Sequence, residues 1–93
     1  MDIFYRLHAR QQMAERGVSP ADVAAIVTAG NVIDERHHAG RPFPTHILLG
    51  WIDHRPLHVV LAVDPAGPHY VITVYEPDIA RWHDDLRSRR EQR

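Results

Sequence analysis

A histidine, a tyrosine and a threonine fall in the C-terminal half of the chain where an apolar hairpin would otherwise carry aliphatic side chains. Leu57-His58-Val59-Val60-Leu61-Ala62-Val63-Asp64 and His69-Tyr70-Val71-Ile72-Thr73-Val74-Tyr75-Glu76 read as two strands joined by Pro65-Ala66-Gly67-Pro68. Pairing Asp64 with His69 sets Val63 opposite Tyr70, Leu61 opposite Ile72 and Val59 opposite Val74 on one face. The other face then holds His58 beside Tyr75 and Val60 beside Thr73. An imidazole titrates near neutrality and serves as proton donor or acceptor, so the chemistry this set offers is proton transfer. A one-residue slip in register would disperse it.

The elements that must position these groups fit one domain. At 93 residues with 44% hydrophobic content, the chain supports a single core. It has no run of eighteen apolar residues and no N-terminal charged and apolar leader pattern, so a soluble cytoplasmic protein is expected. Cysteine is absent, which excludes thiol nucleophiles, thiolate metal sites and disulfides. The net charge of -1 argues against a strong polyanion binder, so any basic surface must be local. All 11 cationic side chains are arginine, a usage that a GC-rich genome explains more simply than selection for phosphate contacts.

Residues 3 to 16 carry Ile3, Phe4, Leu7, Met13 and Ala14 at helical spacings and end at Gly17, which predicts a first helix. Ser19-Pro20-Ala21-Asp22 reads as the start of a second, with Val23, Ile26 and Val27 as its apolar stripe and Gly30 as its stop. Val32 to Arg36 suits an edge strand, and Thr45 to Asp53 a strongly apolar one. Between them, His37-His38-Ala39-Gly40-Arg41-Pro42-Phe43-Pro44 forms a loop, with His54-Arg55-Pro56 a turn further on. Pro77 opens a last helix bearing Ile79, Trp82 and Leu86, followed by a charged tail with Arg87, Arg89, Arg90 and Arg93. The expected fold is α+β: two N-terminal helices, a four-stranded antiparallel meander and a C-terminal helix. Two of the strands are apolar on both faces, so the face without helices needs a cover.

Leu7-His8-Ala9-Arg10, Met13-Ala14-Glu15-Arg16-Gly17-Val18-Ser19, Asp22-Val23 with Ile26, Leu57-His58-Val59-Val60, and Ile72-Thr73-Val74-Tyr75-Glu76-Pro77-Asp78 with Trp82 follow one another in this order. The combination resembles the bacterial domain-of-unknown-function family 4258, from Tyr5 to about Arg90. That family is similar in architecture to the RelE-like and barnase-like small ribonuclease toxins, whose genes often adjoin those of zinc-finger-type antitoxins. The resemblance implies an RNA substrate, free or ribosome-bound, and a protein antitoxin as partners; the face without helices adds a second copy of the chain as a further candidate. Its recurrent polar positions match here as His8, Arg16, His58, Thr73 and Tyr75.

Metal-free RNA cleavage needs a base for the 2′-hydroxyl, an acid for the leaving 5′-oxygen, and donors around the phosphorane-like transition state. On this reading His8 and His58 are the acid and base in either order, and Tyr75 orients His58 or donates to the phosphate. Thr73 bonds a non-bridging oxygen and Arg16 supplies positive charge, with Arg10 and Arg41 at the substrate. No cofactor or metal is expected; His37-His38 with His46 lacks the spacing of a zinc site and reads as a substrate rim. The competing readings stay open. His58 and Tyr75 also make an ordinary cross-strand aromatic pair, Thr73 an ordinary strand residue, and Arg16 a helix cap or a partner of Asp22. Trp51 and Trp82 each fall in an apolar series and read as core. The whole could be a binding module without catalysis.

Overall fold

The structure is a computed structural model that describes residues 2–37, 42–78, 82 and 85–87. The elements run β1 (Ile3–Tyr5), α1 (Leu7–Arg16), α2 (Pro20–Ala29), β2 (Val32–Arg36), β3 (Thr45–Ile52), β4 (Arg55–Val63) and β5 (His69–Tyr75). The five strands form one sheet in the order β1-β5-β4-β3-β2. Strand β1 runs parallel to β5, while β2 to β5 form an antiparallel meander.

Local chemistry sets both helices. Gly17 and Gly30 take left-handed conformations, at φ 65° and 69°, which glycine adopts without the steric cost of a Cβ. At the start of α2 the Ser19 hydroxyl accepts from the Asp22 N–H at 3.1 Å, and the Asp22 carboxylate accepts from the Ser19 N–H at 3.0 Å. These bonds hold the Asp22 carboxyl below the usual carboxylate range. The helices lie on one face of the sheet, where Ala9, Met13, Val23, Ile26 and Val27 pack against Leu48, Leu57, Val59, Leu61, Val71 and Val74. A smaller cluster of Leu49, Trp82 and Leu86, with Ile33 and Ile47 at its margin, covers part of the opposite face.

The observed sheet corrects the four-stranded antiparallel expectation. Ile3, Phe4 and Tyr5 are not helical; they pair with His69, Tyr70 and Val71 as a fifth, parallel strand. Their spacing matched the stripe of α1, but an aromatic and β-branched triplet satisfies its backbone groups as well at a free sheet edge. Because β1 is so short, the edge of β5 continues beyond it, and Gln12 of α1 accepts from the Val74 N–H there at 2.8 Å.

The C-terminal helix expected from Pro77 is also absent among the described residues. Residues 76–78 carry no regular structure, Trp82 makes an isolated β-bridge, and Leu86 takes φ 60°. One turn-like bond survives, from the Trp82 N–H to the Asp78 carbonyl at 3.0 Å. The three- and four-residue spacing of Trp82 and Leu86 reflects a shared cover over the sheet rather than a helical stripe. Ile79, Arg41 and the charged tail beyond Arg87 lie outside the described residues.

The hairpin register is partly as the sequence suggests. His58 pairs with Tyr75, Val59 with Val74 and Val60 with Thr73, but a β-bulge then shifts the ladder so that Leu61 meets Val71, Ala62 meets Tyr70 and Val63 meets His69. The bulge replaces the expected Leu61–Ile72 and Val63–Tyr70 pairs. It keeps Leu61 and Val71 in the helix-side core and turns Tyr70 to the other face. The β3–β4 connection is tighter than the expected His54-Arg55-Pro56 turn: Ile52 pairs with Arg55 across Asp53 and His54, and Asp53 takes φ 54°.

Candidate active site on the helix-free face

Alternation along the strands sorts side chains between the two faces. On the face away from the helices, Leu49, His58 and Tyr75 form one row across β3, β4 and β5, and Ile47, Val60 and Thr73 form the next. His58 is the one buried polar residue among those described, with 0% exposure. Its Nδ1 lies 3.1 Å from the Tyr75 hydroxyl and its Nε2 2.8 Å from the Leu86 carbonyl oxygen.

Those partners select the tautomer. A carbonyl can only accept, so Nε2 carries the proton and donates to Leu86, leaving the Nδ1 lone pair to accept from the Tyr75 O–H. The Trp82 ring meets the imidazole edge-on at 4.5 Å between centroids, and the Tyr75 ring does so at 5.2 Å. Burial pushes the His58 pKa below its ordinary 6.5, opposed in part by the Leu86 carbonyl. The ring is therefore neutral at neutral pH and able to accept a proton.

The same burial predicts a pH dependence of folding. The unfolded chain binds a proton at His58 below about pH 6.5, whereas the folded chain does so only at lower pH, so acid favours unfolding. His58's contribution to stability is unchanged above that pH. It is lost as pH falls from 6.5 toward the folded pKa, with a slope of at most about 1.4 kcal/mol per pH unit. Urea midpoints at pH 7.5 and 5.5 measure it, and the dependence should shrink in His58→Phe. An equal dependence in that variant would contradict this assignment.

The structure brings together three of the sequence-derived candidates, His58, Tyr75 and Thr73, on one face. It does not add His8, Arg10 or Arg16 to them. All three belong to α1, in the layer on the other side of the sheet, and His8 is exposed. Arg16 lies 4.0 Å from Glu15, and its backbone carbonyl accepts from Arg55 Nη2 at 2.9 Å. Arg55 also holds Glu76 at 2.7 Å, tying the start of β4 to the segment after β5. Arg10 instead borders a cleft of about 480 Å³ lined mainly by Ile3, Tyr5, Met13 and Val18. His46 pairs with Leu61 and His69 with Val63, on helix-facing rows, so neither supplies a second imidazole beside His58.

Two contributors escaped the sequence reading. One is the Leu86 carbonyl, a backbone group whose position depends on a left-handed residue that no pattern announces. The other is an aromatic row at the far end of the same face. Phe4 stacks on Tyr70 at 5.8 Å, Phe43 on Tyr70 at 6.4 Å, and the Arg6 guanidinium lies 5.6 Å from the Tyr70 ring centre. Reading Ile3-Phe4-Tyr5 as a strand would have found its Phe4 edge. Trp51, expected in the core, is 57% exposed, whereas Trp82 is buried.

No helix among the described residues is long and apolar enough to cross a membrane. No curated protein and no solved structure matches the chain. A family match does exist, to the family described as Domain of unknown function (DUF4258), over residues 5–76. That span takes in both helices, all but the first two residues of β1, and the whole His58, Thr73 and Tyr75 set. The chain is a member of the DUF4258 family.

Proposed function

We propose that this protein is the toxin of a toxin–antitoxin pair, a cytoplasmic, metal-independent endoribonuclease that engages single-stranded RNA on the helix-free face of its sheet. The observation that carries the reading is the His58–Tyr75 hydrogen bond, a buried, neutral imidazole joined to a partly exposed phenol beside Leu49 and Val60. The RelE-like and barnase-like resemblance supplies the substrate class, and the lack of a histidine partner for His58 on this face among the described residues revises the mechanism.

In that mechanism the Tyr75 oxygen takes the proton of a ribose 2′-hydroxyl while passing its own proton to His58 Nδ1. The 2′-oxygen bonds to phosphorus, the bond from phosphorus to the 5′-oxygen breaks, and the departing oxygen takes a proton from water. The products are a 2′,3′-cyclic phosphate and a 5′-hydroxyl, and His58 then returns its proton through Tyr75 to the hydroxide that the donating water left behind, which restores both groups. Thr73, one row along the sheet, donates to a non-bridging phosphate oxygen. Substrate reaches Tyr75 when the cover formed by Trp82 and Leu86 moves aside. The partner is a protein antitoxin, with a zinc-finger type as the first candidate.

A second reading is favoured by one observation: both His58 nitrogens already have partners at hydrogen-bond distance. In a non-catalytic binding module of the same fold, the His58 network would serve only to fix the C-terminal cover. Induced expression in a bacterial host separates the two. The ribonuclease reading expects growth arrest that co-expression of the adjoining gene's product relieves, while unimpaired growth with abundant folded protein supports the binding module.

A further inference from the structure

The aromatic row at the β1 edge is more than leftover apolar surface. Pairing registers place Arg36, Thr45, Ala62, Tyr70 and Phe4 in a single line across all five strands, on the same face as His58. At its β1 end Phe4, Tyr70 and Phe43 lie nearly parallel, with interplanar angles of 24° and 10°. Phe4 keeps 54% exposure despite its ring contact, so much of it remains open to a further planar group. Beside these rings lies a hollow of about 90 Å³ lined by Arg6, Pro42, Phe43, Thr45, Ala62 and Ile72. Ile72 reaches this hollow at the bulge that also turns Tyr70 to this face.

Three features select a ligand. Stacked rings with a free edge accept a planar aromatic group, and nucleobases stack on such platforms with little dependence on sequence. The Arg6 guanidinium, held over the Tyr70 ring, provides a fixed cation next to that platform. An unpaired nucleotide presents both an open base face and a phosphate, whereas a base inside a duplex has no face to offer. Ala62 is four residues from His58 along β4, or roughly 13 Å, and the Thr73 row lies between the two. A single strand laid along this line would pass Thr73 on its way from the platform to Tyr75.

We propose that Phe4, Phe43, Tyr70 and Arg6 form a nucleotide subsite that stacks one unpaired base of single-stranded RNA and pairs Arg6 with its phosphate. The inference rests on the RNA-directed reading above, and it does not require that the bound RNA be cleaved. The subsite fixes where the strand enters the face, and hence which bond lies over Tyr75.

The test is fluorescence anisotropy of the purified full chain with a labelled single-stranded oligoribonucleotide that is fully 2′-O-methylated and therefore resistant to cleavage. A duplex of the same sequence is run beside it, with folding of every variant checked by circular dichroism. Binding of the single strand should exceed that of the duplex. Phe4→Ala, at an exposed position, should weaken it by about tenfold. Arg6→Gln should weaken it and lower the salt dependence by about one phosphate contact. Val32→Ala, an exposed apolar residue of β2 on the helix side of the sheet, should leave it unchanged. Equal affinity of wild type, Phe4→Ala and Arg6→Gln would overturn the subsite while leaving RNA binding intact. No single-strand binding by the wild type would overturn the RNA-directed reading and the subsite with it.

Discussion

His58→Ala should lower the thermal midpoint by about 12–24 °C, the largest loss expected from any single change on the helix-free face. The substitution opens a cavity beneath Trp82 and strips the Leu86 carbonyl of its donor. Large-to-small core replacements cost about 2–5 kcal/mol, and an unsatisfied buried acceptor about 1–3 kcal/mol, so a total near 3 kcal/mol is a restrained expectation. In a domain of this size each kcal/mol moves the midpoint by about 4–8 °C. His58→Phe restores most of the volume but not the hydrogen bonds, so it should fall between wild type and His58→Ala. Calorimetry of the three proteins checks the order; a wild-type midpoint in His58→Ala would show that Trp82 and Leu86 are not held by the imidazole.

Gly50→Ala should be nearly as damaging, for a steric reason on the opposite face. Gly50 sits on β3 directly under α2, where an added Cβ would lie 2.8 Å from both Cγ2 and Cδ1 of Ile26 and closer still to Cγ1. Ile26 is buried and branched at Cβ, so its side chain has little freedom to swing aside, and the helix itself must lift. Overpacking of this kind costs about 1–3 kcal/mol. Removing the opposing atoms isolates the cause: in Ile26→Ala the added methyl has room. Urea denaturation of the two single variants and the double variant should therefore show a loss smaller than the sum, by 1 kcal/mol or more. Strict additivity would mean that the close approach of α2 to β3 at Gly50 is not what the glycine permits.

How much of this could be seen in the sequence differs from element to element. Helix α2 was legible from Ser19-Pro20-Ala21-Asp22 and Gly30 because its boundaries are fixed by local hydrogen bonds that those residues make. The His58–Tyr75 and Val60–Thr73 pairs were legible because strand alternation and a short loop constrain the register. The bulge one pair further on was not, since it answers to packing on both faces: Leu61 and Val71 belong to the helix-side core while Tyr70 belongs with Phe4. Strand β1 was hidden because Ile3 and Phe4 continue the periodicity of α1, and only the free edge of β5 favours the extended form. Trp82 and Leu86 were read as one helix face for the same reason, when their common feature is the surface they cover. Placing His8 and Arg16 beside His58 failed on topology, which no spacing along the chain reveals: the sheet lies between α1 and the His58 row.

In the proposed mechanism that separation makes Tyr75 the group through which His58 acts on RNA, and it makes one measurement decisive. Purified wild-type protein and Tyr75→Phe are incubated with a mixed single-stranded RNA, with and without ribosomes and with a chelator present throughout, and the new RNA ends are identified chemically. The mechanism predicts 2′,3′-cyclic phosphate and 5′-hydroxyl ends from the wild type, and at least about a hundredfold slower cleavage by Tyr75→Phe at unchanged folding. Intact RNA in every wild-type incubation, or cleavage undiminished by Tyr75→Phe, would contradict it.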